Sequence, residues 1–248
     1  MDKMDPFLDN RSNKTGFTGK FETLVRKVRP LTFLVFYIGI VLIGLLSMGL
    51  AIGVSVTLYN YISPAFSDSF WRSFQIGTTL ALCYFVYGIS LIIIVPIINY
   101  ILRLKKLVKP FRGNMYSLES MAWFCHNALL YLVRYTFLEF VTPSPLNVLF
   151  YKSMGMKIGK GVLINTTNIS DACLIELGDY VTVGGSAHLL THYAQGGYLV
   201  VSKLVIGERS TIGLKSTVFG NVTIGKSCTV KPHSVVLPKT TLSDNQIV

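Results

Sequence analysis

Two long apolar runs dominate the first hundred residues. No charged residue stands between Pro30 and Ser67, where LTFLVFYIGIVLIGLLSMGLAIGVSVTLYNYI begins at Leu31, and a second uncharged run extends from Ser73 to Leu102. Each exceeds the roughly 20 residues that cross a hydrocarbon core. The pattern predicts two spanning helices whose excess length is taken up by tilt or by extension into the interface. A third apolar stretch, LESMAWFCHNALLYLVRYTFLEFV at 118–141, is interrupted by Glu119, His126, Arg134 and Glu139. It predicts an amphipathic helix at the membrane interface with Trp123 and the tyrosines at headgroup level, or alternatively a short third span. Pro143 and Pro145 end it and begin a linker.

Beyond that linker the period changes to six. Ile206, Ile212, Val218, Ile224, Val230, Val236, Leu242 and Val248 are all aliphatic, and Gly207, Gly213 and Gly225 follow three of them. Upstream, Leu177, Val183 and Leu189 keep the step, with Gly178 and Gly184 next, and Ile158 and Ile164 continue it with Gly159. Two irregularities break the frame: Ile164 to Leu177 is 13 steps, and Leu189 to Ile206 is 17. A period of six fits neither an α-helix nor an alternating sheet. It fits a chain that turns a corner every six residues, with three faces to a coil and one aliphatic side chain per face pointing inward. Glycine follows where the chain bends closely. Such coils stack about 4.8 Å apart through parallel ladders, and about five of them are expected from the length of the pattern.

Composition adds orientation. Hydrophobic residues make up 51% of the chain and charged ones 14%, and the mean hydropathy is +0.51, a balance typical of membrane segments. A net charge of +11 suits nucleic acid, an anionic membrane surface or an anionic cofactor, so position decides. Lys3, Arg11, Lys14, Lys20, Arg26, Lys27 and Arg29 precede the first run, only Arg72 lies between the two, and Arg103, Lys105, Lys106, Lys109 and Arg112 follow. The positive-inside rule then predicts a multi-pass protein of the cell (inner) membrane with both termini cytoplasmic. The basic flanks face anionic lipid headgroups, and no nucleic acid partner is needed to explain them. The first run is too long and begins too late for a signal peptide. Gly49 and Gly53 form a GxxxG that favours close helix packing, and Pro96 predicts a kink. Cys83, Cys125, Cys173 and Cys228 are scattered, with no CxxC pair, and read as buried thiols in a reducing compartment. The expected division is a basic segment over 1–29, two spanning helices with their flank over 30–112, an interfacial helix and linker over 113–153, and a β-helix over 154–248.

The [LIV]-G-x4 run from Met156 to Val248 resembles the hexapeptide-repeat acyltransferases. The stretch DACLIELGDYVTVGGSAHLLTHYAQGG…LVIGERSTIGLKSTVFGNVTIG…SVVLP is most similar to the membrane-associated β-helix domains at the C-terminal end of poly-lysine-synthetase-type nonribosomal peptide enzymes. The resemblance implies a mixed fold: N-terminal transmembrane α-helices followed by a single-stranded left-handed parallel β-helix. It also implies a homotrimer and an acyl-CoA donor, commonly acetyl-CoA, lying in the groove between subunits with no metal. Lys215, Lys231 and Lys239 are the basic candidates to hold that donor, although Lys231 and Pro232 stand where Gly and a small residue are usual.

Acyl transfer from a thioester needs a base for the proton of the incoming hydroxyl or amine, and histidine is the side chain best suited to it near neutral pH. His192 lies in HLLTHYAQGGYLVVSK, where the second irregularity extrudes a loop. In the acyltransferases it resembles, the catalytic base lies at this place, and the THY triplet matches it. His188 is the alternative base, four residues earlier; His233 falls on another face, and His126 reads as an interfacial helix residue. Asp171, in ISDAC, matches an acidic position in the resembling domains; it orients the histidine, binds the acceptor or caps a turn. Tyr193, Gln195 and Tyr198 line the acceptor mouth if the loop folds over it.

Two competing readings stand beside this one. A non-catalytic trimeric scaffold needs only the repeat. A zinc carbonic-anhydrase-like enzyme would use His188 and His192 as a ligand pair, but the third histidine is missing from the expected face. The tether itself points to an acceptor at the membrane: a lipid, a lipid-linked glycan or a membrane-delivered amine.

Overall fold

The computed structural model describes residues 9–62 and 70–248. Lys3 and most of the connection between the two apolar runs, both used above to orient the chain, lie outside the described residues.

After a short helix α1 (Gly16–Lys27), the two runs form α2 (Arg29–Ile62) and α3 (Phe70–Ile101). At about 1.5 Å per residue each is roughly 50 Å long, and both are long and apolar enough to cross a membrane. The close contact between them is not built on Gly49 and Gly53, whose missing Cβ atoms would meet nothing within 4 Å. The buried stripe one step over, Ser47, Ala51 and Ser55, has the same four-residue spacing and does that work. The Ser55 hydroxyl donates to the Cys83 carbonyl at 2.9 Å, and the Cys83 thiol donates back to the Ser55 carbonyl at 3.1 Å.

A short turn of helix, α4 (Leu104–Leu107), and a strand, β1 (Phe111–Gly113), lead to α5 (Leu118–Val133). Ser117 caps it by accepting from the Ser120 N–H, and a π-turn over Arg134–Leu138 extends it. This is the third apolar stretch, and it does not lie free at an interface. The Phe137 ring occupies the space over Gly88, where a Cβ would fall 2.0 Å from the ring, and it packs edge-on to Tyr84 and Phe85 of α3. The Tyr84 hydroxyl donates to the Thr136 carbonyl at 3.0 Å. Trp123, expected at headgroup level, is buried and faces the β-helix. His126, expected at an interface, is fully buried against Asn99 of α3. The linker contains a further helix, α6 (Pro145–Met154), capped by Ser144 and closed by Gly155 at φ 111°. Its Phe150, Tyr151 and Met154 are fully buried.

The rest is a three-sided parallel β-helix. One ladder stacks β2 (Lys157–Ile158), β4 (Ile175–Leu177), β9 (Leu204–Ile206), β12 (Val222–Ile224) and β15 (Thr241–Leu242). The second stacks β3 (Leu163–Ile164), β5 (Thr182–Val183), β10 (Thr211–Ile212) and β13 (Thr229–Val230). The third stacks β6 (His188–Leu190), β11 (Thr217–Phe219) and β14 (Val235–Val236), and an isolated bridge from Ile169 to Leu189 extends it downward. Ile206, Ile224 and Leu242 stand in register, 18 residues apart. The predicted inward residues from Ile158 to Leu242 are buried; Val248, at the open end of the prism, is 38% exposed.

The glycine after the aliphatic position is set by coil spacing. A Cβ on Gly207 would lie 2.5 Å from the Gly225 carbonyl carbon of the next coil. The left-handed corner comes two residues later, at Arg209, Lys215, Asn221, Ser227, His233, Lys239 and Asn245. Each of these would carry a conformational cost of about 1 kcal/mol, offset by a backbone bond to the coil before it, such as Lys215 N–H to the Gly185 carbonyl at 2.9 Å and His233 N–H to the Leu214 carbonyl at 2.9 Å. One apolar cluster runs without a break from Ala51 and Leu91 through Leu130 and Phe150 into the prism as far as Leu242.

Candidate functional site

The two frame breaks meet in space. Both fall after the third face of a coil, one following Ile169 and the other following Leu189, and these two residues are bridged. The first break holds Asp171 at φ 58°, followed by one turn of 3-10 helix over Ala172–Leu174. The second extrudes a hairpin, β7 (His192–Gln195) and β8 (Tyr198–Val201), turned through Gly196 and Gly197. The predicted loop is therefore an ordered ribbon, and β1 pairs antiparallel with β8, which places β8 in the middle of a three-stranded sheet.

Asp171 is fully buried and its carboxylate accepts four hydrogen bonds. Oδ2 takes His192 Nδ1–H at 2.7 Å and the Thr191 backbone N–H at 3.2 Å. Oδ1 takes Asn127 Nδ2–H at 2.7 Å and the Trp123 indole N–H. The Asn127 amide oxygen accepts from the Asp171 backbone N–H at 2.9 Å. Burial pushes the Asp171 carboxyl up, but the hydrogen bond and charge of His192, with the Asn127 and Thr191 bonds, outweigh it and hold the group below the usual carboxylate range. The carboxylate thus stays ionised and fixes the imidazole with its proton on Nδ1. That leaves the Nε2 lone pair able to accept a proton. The Trp123 ring braces the imidazole edge-on, with centroids 4.8 Å apart.

Trp123 and Asn127 are one turn apart on α5, which puts both on the face toward Asp171. Their part in the site was not foreseen. The available signal was an Asn four residues after a Trp in an otherwise apolar stretch, where an unpartnered amide is costly. The same helix is laced to the rest of the first break. The Tyr131 hydroxyl bonds Ser170 Oγ at 2.8 Å, Arg134 donates to the Asn168 side-chain oxygen, and Thr167 donates to Glu139.

His192 forms one wall of a cavity of about 250 Å³ whose other walls are Trp123, Phe124, Asn127, Ala128 and Tyr131 of α5 and Tyr37 and Ile40 of α2. Tyr193, Gln195 and Tyr198, expected at the acceptor mouth, do not line it. In the ribbon His192 opposes Val201 while Gln195 opposes Tyr198, and alternation puts Tyr193, Gln195 and Tyr198 on the face opposite His192. Tyr198 instead stacks on Arg112 at 4.1 Å in a polar hollow shared with Lys14, Glu22 and Arg26. There Lys14 bridges Glu22 at 2.9 Å and Glu119 at 2.6 Å.

The other candidates are dispersed. His188 is exposed on β6, opposite Thr217, and takes no part in the Asp171 cluster. Lys215 and His233 stack at one corner, Lys231 lies just before that corner, and Lys239 occupies the next. Cys173, two residues after Asp171, is no nucleophile, because burial and then the Asp171 charge push its thiol up to about 12. Among the described residues no three His, Cys, Asp or Glu side chains converge to hold a metal ion.

No protein-family model matches the chain. Delta-poly-L-ornithine synthetase of Acinetobacter baumannii (strain AB307-0294) is 20% identical over 195 residues, covering 77% of this chain and 14% of that protein. The chain therefore spans only a small part of that relative's length. Among solved structures, a hexapeptide-repeat-containing acetyltransferase from Vibrio cholerae is 25% identical over 39% of this chain and 58% of its own, with a TM-score of 0.35. Serine acetyltransferase from Brucella abortus strain S19 is 14% identical over 81% and 65%, with a TM-score of 0.37. A maltose O-acetyltransferase from Clostridium difficile 630 is 16% identical over 57% and 92%, also at 0.37. The fold itself rests on the parallel ladders of this chain.

Proposed function

We propose that this chain is a membrane-anchored acyltransferase. It moves an acyl group, acetyl in the simplest case, from acyl-CoA to a hydroxyl or amine acceptor at the cytoplasmic face of the membrane. The single observation that carries this reading is the 2.7 Å contact between His192 Nδ1 and the buried, ionised Asp171, with Nε2 left free at an apolar cavity. A buried carboxylate with four donors is costly to build, and its one evident use is to hold a base.

Nε2 of His192 takes the proton of the acceptor O–H or N–H as the oxygen or nitrogen attacks the thioester carbonyl. A C–O or C–N bond forms and the C–S bond breaks. The thiolate leaves and recovers the proton from the imidazolium, so the base returns to its starting state. Asp171 is a positioning residue: it fixes the tautomer and stabilises the imidazolium while it exists.

Membrane anchoring is supported by the surface of α2, where Leu42, Leu45, Leu46 and Leu50 are all more than half exposed. A contiguous apolar surface calls for lipid to cover it, and the Lys and Arg flanks support a cytoplasmic side for the segments before α2 and after α3. Lys215 and Lys231, near one corner, are assigned to the phosphates of the donor. Lys239, on the next corner, meets the same donor only across the subunit boundary of a homotrimer.

The test uses the full chain in detergent. Calorimetry measures acetyl-CoA binding, and thiol release is followed in the presence of a membrane lipid extract, with His192→Ala beside the wild type. The expected result is saturable binding by both, with thiol release about 10²–10⁴-fold faster in the wild type. Absence of acyl-CoA binding in both would overturn the reading in favour of a non-catalytic scaffold.

A further inference from the structure

The cavity at His192 does not end there. Tyr37, Ile40, Ala128 and Tyr131 also line a second cavity of about 330 Å³, which continues between α2 and α5 past Gly44 and Leu132 to Thr136. From Trp123 to Thr136 is 13 residues of helix, or about 20 Å of groove at 1.5 Å per residue. Its direction carries information. Thr136 is held by Tyr84, which lies 17 residues before the cytoplasmic end of α3 at Ile101, about 25 Å of helix away. The His192 end lies beside Tyr37, only eight residues into α2 from its basic start at Arg29. The groove therefore runs lengthwise between α2, whose outer face belongs in lipid, and α5, which the β-helix holds along its length at Asp171, Ser170 and Asn168.

Resting on the acyltransferase reading above, we infer that this groove holds the hydrocarbon chain of the acceptor, a membrane lipid bearing a free hydroxyl or amine on its head. The walls are mostly aliphatic and aromatic; His192 and Asn127 make one end polar, and at the other the Thr136 hydroxyl is turned onto the Leu132 carbonyl. A chain laid along the groove presents its head to Nε2 without leaving the bilayer. This explains why the base is braced by a membrane-associated helix when the prism alone would have sufficed to hold it. A soluble sugar or amino acid would leave the length of the groove unfilled.

Gly44 offers a way to test the groove from within, because a Cβ there would meet nothing within 4 Å, so Gly44→Phe fills space. Ala128→Leu narrows the groove from the opposite wall, and Leu45→Phe, on the exposed side of α2, is the control. The full chain in nanodiscs is photolysed with an alkyl alcohol carrying a terminal diazirine, and the labelled positions are mapped by mass spectrometry. Labelling is expected at Gly44, Leu132 and Tyr135, reduced at least about fivefold by Gly44→Phe and unchanged by Leu45→Phe. Acetyl transfer to n-alkyl alcohols of increasing length is measured alongside. The wild type is expected to favour long chains, and both groove variants to move the optimum to shorter ones. Labelling spread evenly over the lipid-facing surface of α2, or transfer indifferent to chain length, would overturn the inference. Saturable groove labelling with no transfer to any acceptor would uphold the groove and overturn the acyltransferase reading instead.

Discussion

The upper coils and the lower coils of the same prism differ in one respect. From Ile206 to Leu242 every step is six and every ladder residue stacks on its neighbour 18 residues away. Below Ile206 the frame breaks twice, and the two breaks hold Asp171 and His192. The regular part makes a rigid column from backbone bonds and inward aliphatics. The irregular part gives up ladder bonds and satisfies its polar groups elsewhere: on α5, on the hairpin and on each other. Regularity builds the column here, and on the proposed reading the departures from it carry the chemistry.

Substitutions in the two parts should therefore separate activity from stability. The largest effect is expected from His192→Ala, with acyl transfer falling about 10²–10⁴-fold while the thermal midpoint stays within a few degrees of wild type; a fall in stability that accounts for the lost activity would erase the distinction. Asp171→Asn comes next. An amide leaves its NH₂ facing groups that also donate, costing about 1–3 kcal/mol of stability, and it no longer holds the Nδ1 proton, so transfer drops by about 10²-fold. The pH dependence has a definite sign. The folded-state Asp171 carboxyl is held below its unfolded value of about 3.9, so its stabilisation is present above that pH and is lost as pH falls through the folded value. The Asn variant should show a flatter acid limb in denaturation below about pH 4.

Ile212→Ala in the regular part is the converse. It empties a fully buried site and should cost about 2–5 kcal/mol in denaturant unfolding, with kcat for the remaining folded protein unchanged. Trp123→Phe sits between the two classes. It keeps the apolar wall but removes the indole donor to Asp171, so about 1 kcal/mol of stability and about a tenfold loss in kcat are expected, with KM for the acceptor little altered. His188→Ala should do least. The side chain is exposed on a regular strand, so stability stays within about 0.5 kcal/mol and transfer is retained; loss of transfer would move the base to His188.

The sequence displayed the column well and the site only in outline. An inward aliphatic every six residues is a local signal repeated many times, so the three ladders could be written down from spacing alone. The breaks were visible as miscounts at Ile164–Leu177 and Leu189–Ile206; the second pointed to His192, while Asp171 was singled out by the family resemblance and not by spacing. What fills a break is not periodic, and it comes from far along the chain: Asn127 reaches Asp171 across 44 positions. For the same reason α5 read as an interfacial helix, since its polar residues looked solvent-facing until their buried partners were known. The face taken by Tyr193, Gln195 and Tyr198 was not legible because an extruded segment without secondary structure has no defined faces. Once it is a ribbon, alternation sends them away from His192.

The central claim is that the two breaks act as one unit, and a double-mutant cycle on acyl transfer tests it most directly. Thiol release is measured for wild type, His192→Ala, Asp171→Asn and the pair. If Asp171 acts through His192, replacing it lowers turnover by about 10²-fold in the wild type and by less than about twofold once His192 is gone. An equal loss from Asp171→Asn in both backgrounds would mean that the two residues work independently and that the convergence of the breaks is structural only.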